Sequence, residues 1–450
     1  MEKSRAWKDG LYLLLLGNVA FVLISLLLVS RPDSAAAMDF RTAYYSGQCL
    51  LHSPCDPYSE HDIDALYRRH VERVPVSARN RLVVTNNVYL PTSFPFTLLF
   101  GMLPFDWAIV LWCLLINCSL MVAVGLILCI AAPRAPLLVG TLLGFCIATS
   151  GSLAFLGNPG GFIVPFCVVS ACCFIYGRYV PLGIACLAVS LAFKPHDAWL
   201  IWLCFFLAGR PYRVYALKAL AVFAAFSLPA IAWVFWISPH WITEFGANLH
   251  FWSQKGGMND PSGGHGACLL TNLQTVTSFF WADPHTYDLA SYLICAPLIV
   301  IWVFLTLRAR TSTSSLWMAL ASASALTLLP VYHRQYDTKL IILAVPACVA
   351  LWMTKGALGR FAVAFTAVAF FVSGDLPWVA FLGYFNHQHW SATGRYGRLL
   401  LAVWDFPTPL GLLAMGIFYL WIYARLVRSP QAEETTAQAE TGPSTLPHPA

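Results

Sequence analysis

The chain has 450 residues, 58% hydrophobic and 11% charged, with a formal net charge of +6 and a mean hydropathy of +0.66. Soluble domains run at about 45–50% apolar and about 25% charged. The composition therefore excludes a cytosolic enzyme, a nucleic-acid-binding protein and a disordered adaptor. The apolar residues come in long unbroken runs rather than in alternation, which excludes an outer-membrane barrel. What remains is an all-α polytopic membrane protein, long enough for about 12 spans of about 20 residues.

In chain order, Lys3, Arg5 and Lys8 precede an apolar run from Leu11 to Ser30. The run exceeds the h-region of a cleaved signal, so it reads as a retained first span despite the small residues Ala35-Ala36-Ala37. A polar loop covers 31–91. The apolar stretch Phe94 to Leu103, broken by Pro95 and Pro104, is too short to cross and reads as re-entrant or interfacial. Further spans are expected at 106–130, 136–156, 161–176, 180–193, 197–209, 217–237, 288–307, 315–330, 338–353, 361–373 and 405–424. A second large loop covers 238–287. Residues 1–428 form one transmembrane domain, and the Glu-, Thr- and Pro-rich tail 429–450 is expected to be disordered and cytoplasmic.

Alternate connectors carry Arg134, Arg178, Arg210, Arg213, Lys218, Arg308, Arg310, Lys355, Arg360, Arg425 and Arg428. With the basic N-terminus they define a cytoplasmic side, with both termini inside. Acids contribute little to orientation. Even so, the sixteen Asp and Glu between 33 and 405, and eleven of the twelve histidines, all fall on the opposite side. Chemistry is therefore expected on the outer face of a plasma (inner) membrane. Most cysteines lie inside apolar runs and act as small hydrophobes. Cys49, Cys55 and Cys268 do not, and a Cys49–Cys55 bridge is compatible with an oxidising outer compartment.

Four outer segments hold candidate chemistry. Asp39 follows the first span, with Tyr44 and Tyr45 after it. It reads either as a helix-start residue with interfacial aromatics or as a general base at the lip of a cavity. Lys194-Pro195-His196-Asp197 interrupts an apolar stretch, and a lysine there either snorkels or serves as a cation for phosphate. Tyr332-His333-Arg334-Gln335-Tyr336-Asp337 offers a guanidinium fork suited to phosphate and a histidine that titrates near neutrality. Gly157-Asn158-Pro159-Gly160-Gly161 is a tight turn whose amide suits a sugar hydroxyl. The loop from His240 to Asp283 is rich in aromatic and amide side chains, without diagnostic spacing.

Asp62-Ile63-Asp64 matches the D-x-D of soluble glycosyltransferases. It falls on the outer side, where nucleotide sugars are absent, and reads as a solvated acidic face. His387-Gln388-His389 lacks a third ligand nearby in sequence, so no metal is expected. Walker A, Rossmann and H-E-x-x-H patterns are absent. An enzyme working outside has neither ATP nor nucleotide sugar, so its activated donor must arrive in the bilayer as a lipid-linked phosphosugar.

The chain resembles the polyprenol-phosphate-mannose-dependent mannosyltransferases of glycosyltransferase family 87, in the GT-C superfamily. The resemblance rests on Asp39-Phe40, Tyr44-Tyr45, Pro57-Tyr58, Tyr89-Leu90-Pro91, Leu103-Pro104, Gly157-Asn158, Lys194-Pro195 and Tyr332-His333-Arg334, in that order over roughly residues 10–425. A Gly-Gln-x-Asn turn of the family is replaced by Gly157-Asn158, and His196 is not typical. The resemblance implies a GT-C-type bundle with long extracytoplasmic loops and an extracytoplasmic active site. It implies a polyprenyl-phosphate hexose donor, with mannose expected, and a lipid-linked or glycan acceptor. It implies inverting displacement without a cofactor or metal, Asp39 acting as base and Lys194, His333 and Arg334 assisting the phosphate. Tyr44, Tyr45, Asn158 and His196 are the expected substrate contacts, with membrane lipid as the surroundings and no nucleic-acid partner. The rival readings are a GT-C transferase for another sugar and a transporter or flippase of lipid-linked sugars.

Overall fold

A computed structural model describes residues 2–29, 36–52, 55–71, 78–263, 267, 269–374 and 402–428. His387, His389, Cys268 and the tail 429–450 lie outside the described residues. Among the described residues the protein is all-α, and the extended backbone amounts to one isolated antiparallel bridge, Leu270 with Arg334.

Each expected span coincides with helix, with shifted ends. Among the described residues, five segments are long and apolar enough to cross a membrane: Phe105–Ala131, Pro136–Leu156, Tyr212–Ile237, Pro284–Arg308 and Pro407–Arg428. Four more apolar helices are shorter: Gly160–Tyr176, Val180–Phe193, Pro195–Leu207 and Ala357–Val372. Two expected spans are internally broken. Residues 136–156 divide at Thr149-Ser150 into Pro136–Ala148 and Gly151–Leu156. Residues 338–353 begin as the 3-10 helix Asp337–Ala344 and become α-helical at Val345–Trp352. Phe94–Gly101 is a short helix led by a 3-10 turn, Pro91–Ser93, in keeping with a segment too short to cross. The polar segment 31–91 holds, among its described residues, the helices Met38–Leu51, Glu60–Val71 and Ala78–Thr85.

The bundle core is built from Leu, Val, Ile, Ala and Cys, with Cys167, Cys172 and Cys204 packed inside it as thiols. Leu228, Trp236, Leu293 and Val300 are exposed on the helices Tyr212–Ile237 and Pro284–Arg308. A soluble surface does not tolerate apolar exposure on that scale, and lipid contact accounts for it. The first helix, Glu2–Val29, lies against Pro136–Ala148 at glycine-to-glycine distance. A Cβ on Gly17 would stand 2.2 Å from the Gly144 carbonyl oxygen, and one on Gly140 2.4 Å from that of Gly10. Small residues let two backbones approach closely where lipid supplies no hydrophobic drive between helices.

Connectors expected on one side of the membrane touch one another. At one end, Ser238 donates to Asp56, Asn248 donates to the carbonyls of Tyr58 and Asn87, and Thr92 donates to the Ala192 carbonyl. At the other end, Arg134, Tyr176, Thr313 and Trp317 line one cavity of about 270 Å³. Connectors predicted to share a side thus meet one another. Cys49 and Cys55 are joined by a disulfide, with Cα atoms 5.3 Å apart.

Candidate active site

The site is organised by how each polar island is pinned. Ala37 adopts a left-handed conformation and its N–H donates to the Phe155 carbonyl, so the helix Met38–Leu51 starts against the turn after Gly151–Leu156. Gly157 in that turn has φ of +62°, a conformation that favours glycine. A Cβ there would also lie 2.8 Å from that of Phe40. The Trp112 indole donates to the Gly157 carbonyl at 2.7 Å. The turn therefore delivers Asn158 to Asp39: the amide Nδ2 donates to Asp39 Oδ2 at 2.6 Å, while Oδ1 of the same amide accepts from the Gly160 N–H at 2.8 Å. Oδ1 of Asp39 has no hydrogen-bond partner among the described residues. Burial pushes the Asp39 carboxyl above its ordinary range; the Asn158 bond and the charges of Arg334 and Lys194 pull the other way.

Lys194 sits where one helix ends and the next begins. As the residue before Pro195 it is confined to extended backbone, and Pro195 opens the following helix, where a missing N–H costs nothing. The ammonium is buried and reaches Asp337 Oδ1 at 2.5 Å, with Asp197 Oδ2 at 3.8 Å and the Tyr336 ring centroid at 4.8 Å. Burial works against its charge, but Asp337 and Asp197 outweigh that and hold it protonated. Burial, then repulsion from Asp197, pushes the Asp337 carboxyl above its ordinary range against the pull of Lys194.

Arg334 is fixed by its backbone bridge to Leu270 and by Asp337 Oδ2, which accepts from its N–H at 3.1 Å. Its guanidinium donates to the Tyr332 hydroxyl at 2.7 Å, to the Met258 carbonyl at 3.2 Å and to Asn259 Oδ1 at 3.0 Å. None of these is a carboxylate, so its charge is available to an anion. His333 is fully buried beneath, with Nε2 3.0 Å from Asp197 Oδ1 and Nδ1 2.9 Å from the Val331 carbonyl. The His196 ring meets that of His333 edge-on at 4.8 Å. Gly160 marks where the parts join: a Cβ on it would stand 2.8 Å from Asp337 Oδ1, 3.0 Å from Asn158 Oδ1 and 3.2 Å from Lys194 Nζ.

Asp39, Asn158, Lys194, His196, His333 and Arg334 thus share one neighbourhood. Tyr44 and Tyr45 do not join it. Both are buried in an aromatic cluster with Phe40, Tyr67 and Phe105, and the Tyr44 hydroxyl donates to the Leu103 carbonyl while accepting from Gln48. They brace the helix that carries Asp39 rather than face a substrate. Asp62 and Asp64 are engaged locally, Asp62 by the Asp56 N–H and Asp64 by Arg68, and they do not form a paired ligand set.

Three members had no role in the sequence reading: Asp197, Asp337 and Tyr89, whose hydroxyl lies 3.4 Å from the Asp39 carbonyl oxygen. The signal for the two acids was Lys194 itself, because an ammonium among apolar helices needs an acidic partner. Neither a scan against family models nor a search of curated proteins finds a match for the chain.

Proposed function

We propose that the protein is an integral-membrane glycosyltransferase of GT-C type. It moves a hexose, with mannose expected, from a polyprenyl-phosphate donor to a lipid-linked or glycan acceptor at the extracytoplasmic face. The observation that carries this reading is the convergence around Gly160 of Asn158, which holds Asp39, with Lys194 and Asp337, although Asp39 and Asp337 are nearly 300 residues apart.

The chemistry follows from the parts. Asp39 Oδ1 takes the proton of the acceptor hydroxyl as its oxygen attacks C1 of the sugar. The bond from C1 to the phosphate oxygen breaks on the opposite face, so configuration inverts, as in an inverting glycosidase. The leaving group is a phosphate, which needs positive charge rather than a proton. Arg334 offers it the Nη1 end of its guanidinium, the Nε and Nη2 edge being held by Tyr332, Met258 and Asn259, and Lys194 adds field from behind its pair with Asp337. Such prearranged charge is commonly the largest catalytic contribution. His333 and Asp197 support the floor under Arg334, and Asn158 orients Asp39.

Buried ion pairs among apolar helices also occur in transporters, and the Lys194–Asp337 pair keeps that reading in view. One experiment separates them. The purified protein is reconstituted with polyprenyl-phosphate-mannose and a panel of glycolipid acceptors. Sugar transfer supports the enzyme. Movement of intact lipid-linked sugar across the vesicle, without transfer, supports the transporter and removes the proposal.

A further inference from the structure

Beneath Arg334, the side chains of His196, Asp197 and His333 each offer one ligand atom, all within 4.8 Å of one another. Asp197 and His333 are fully buried. His333 Nδ1 faces the Val331 carbonyl, which only accepts, so that nitrogen carries a proton and Nε2 is the atom turned toward Asp197. Nε2 and Asp197 Oδ1 stand 3.0 Å apart, the separation of an ion pair, and neither atom has another partner among the described residues. Oδ2 of Asp197 has no hydrogen-bond donor; Lys194 stands 3.8 Å off, engaged with Asp337.

A buried carboxylate oxygen without a donor is costly. The charge count points the same way: over the whole cluster Asp39, Asp197 and Asp337 are three negative charges against the two cations Lys194 and Arg334. One more cation completes the group. Two ligands each about 2.1 Å from a zinc ion stand about 3–3.5 Å apart, which matches the Nε2 to Oδ1 separation; the remaining separations run to 4.8 Å, so binding draws the His196 ring inward. A histidine that ligates through one nitrogen while the other donates to a main-chain carbonyl is the usual outer arrangement of a metal site.

We propose that His196, Asp197 and His333 bind one divalent transition-metal ion, of which zinc best suits two imidazoles and a carboxylate. Three protein ligands leave a coordination position for water or an anionic oxygen. The proposal does not rest on glycosyl transfer, and its test reads metal rather than activity.

The full-length protein in detergent is stripped with chelator, then loaded with Zn²⁺ or Co²⁺ and desalted. The expected result is one ion per chain, an intense visible Co²⁺ spectrum unlike that of the aqua ion, and a melting temperature that rises with Zn²⁺ concentration. His196→Gln and His333→Gln should each lose the ion and the melting shift, while Asp39→Asn keeps both. His196 is only partly buried, and the Thr327 hydroxyl binds its main-chain carbonyl rather than its ring. His196→Gln therefore decides the matter if the His333 variant fails to fold. Substoichiometric metal in the wild type, or equal metal in wild type and His196→Gln, overturns the proposal. The extra cation would then be a proton on His333.

Discussion

Asn158 holds Asp39 by a 2.6 Å hydrogen bond across 119 residues of sequence. An amide donor favours the ionised carboxylate, so it opposes the upward pull of burial on the same group. A base must be ionised to accept a proton. Removing the donor in Asn158→Ala should raise the Asp39 pKa and move the acidic limb of the rate profile to higher pH. Activity then falls most at low pH and recovers partly at high pH. A pH–rate profile of the reconstituted enzyme checks this; an unmoved acidic limb means that another group titrates.

Asp39→Asn keeps the shape of the side chain and removes its basicity. Transfer should drop by about 10²–10⁴-fold, the usual worth of a positioned base. Thermal stability should change little, because Asn158 still has an oxygen to bond. Wild-type turnover in this variant would assign the proton transfer elsewhere.

Lys194 and Asp337 form a buried pair in which each partner justifies the burial of the other. Lys194→Met leaves Asp197 and Asp337 facing one another without their ammonium, at an expected cost of about 3–5 kcal/mol. In the double variant Lys194→Met/Asp337→Asn the loss should be smaller than the sum of the single losses, by about 0.5–3 kcal/mol. Chemical denaturation in detergent measures the cycle. Strict additivity would mean that the pair does not act as a unit.

The Cys49–Cys55 bridge gives a handle on orientation. A membrane-impermeant maleimide applied to intact cells should label these two positions only after a thiol reductant, and this reductant-dependent increment should vanish in Cys49→Ser/Cys55→Ser. Loss of the bridge should also cost about 2 kcal/mol by loop closure. Labelling that requires permeabilised cells would place this end of the bundle in the cytoplasm.

The sequence made the all-α, apolar character of the fold legible because charge and hydropathy are written residue by residue. Asp56 meets Ser238, and Arg134 shares a cavity with Thr313, as the distribution of charge implied. Asp39, Lys194 and Arg334 stood out for the same reason, as charges beside apolar runs. Pairing was not legible. That Lys194 meets Asp337 rather than only its neighbour Asp197 depends on how distant helices stack. Tyr44 and Tyr45 lie in an aromatic cluster, and in sequence an aromatic pair looks the same whether it stacks on a sugar or on Phe105. Span number was legible only in part. Composition marks what lipid tolerates, but the kink at Thr149-Ser150 and the 3-10 stretch Asp337–Ala344 arise from packing.

The glycine crossing between the first helix and Pro136–Ala148 limits how this protein can be rebuilt. Gly17 touches the Gly144 backbone with no room for a methyl group, so the N-terminal segment is a keyed part and not an interchangeable anchor. A chimera carrying a polyleucine leader of equal length would still insert. It would ride outward by the width of its side chains, carrying the chain toward Asp39 out of register with the turn that receives it.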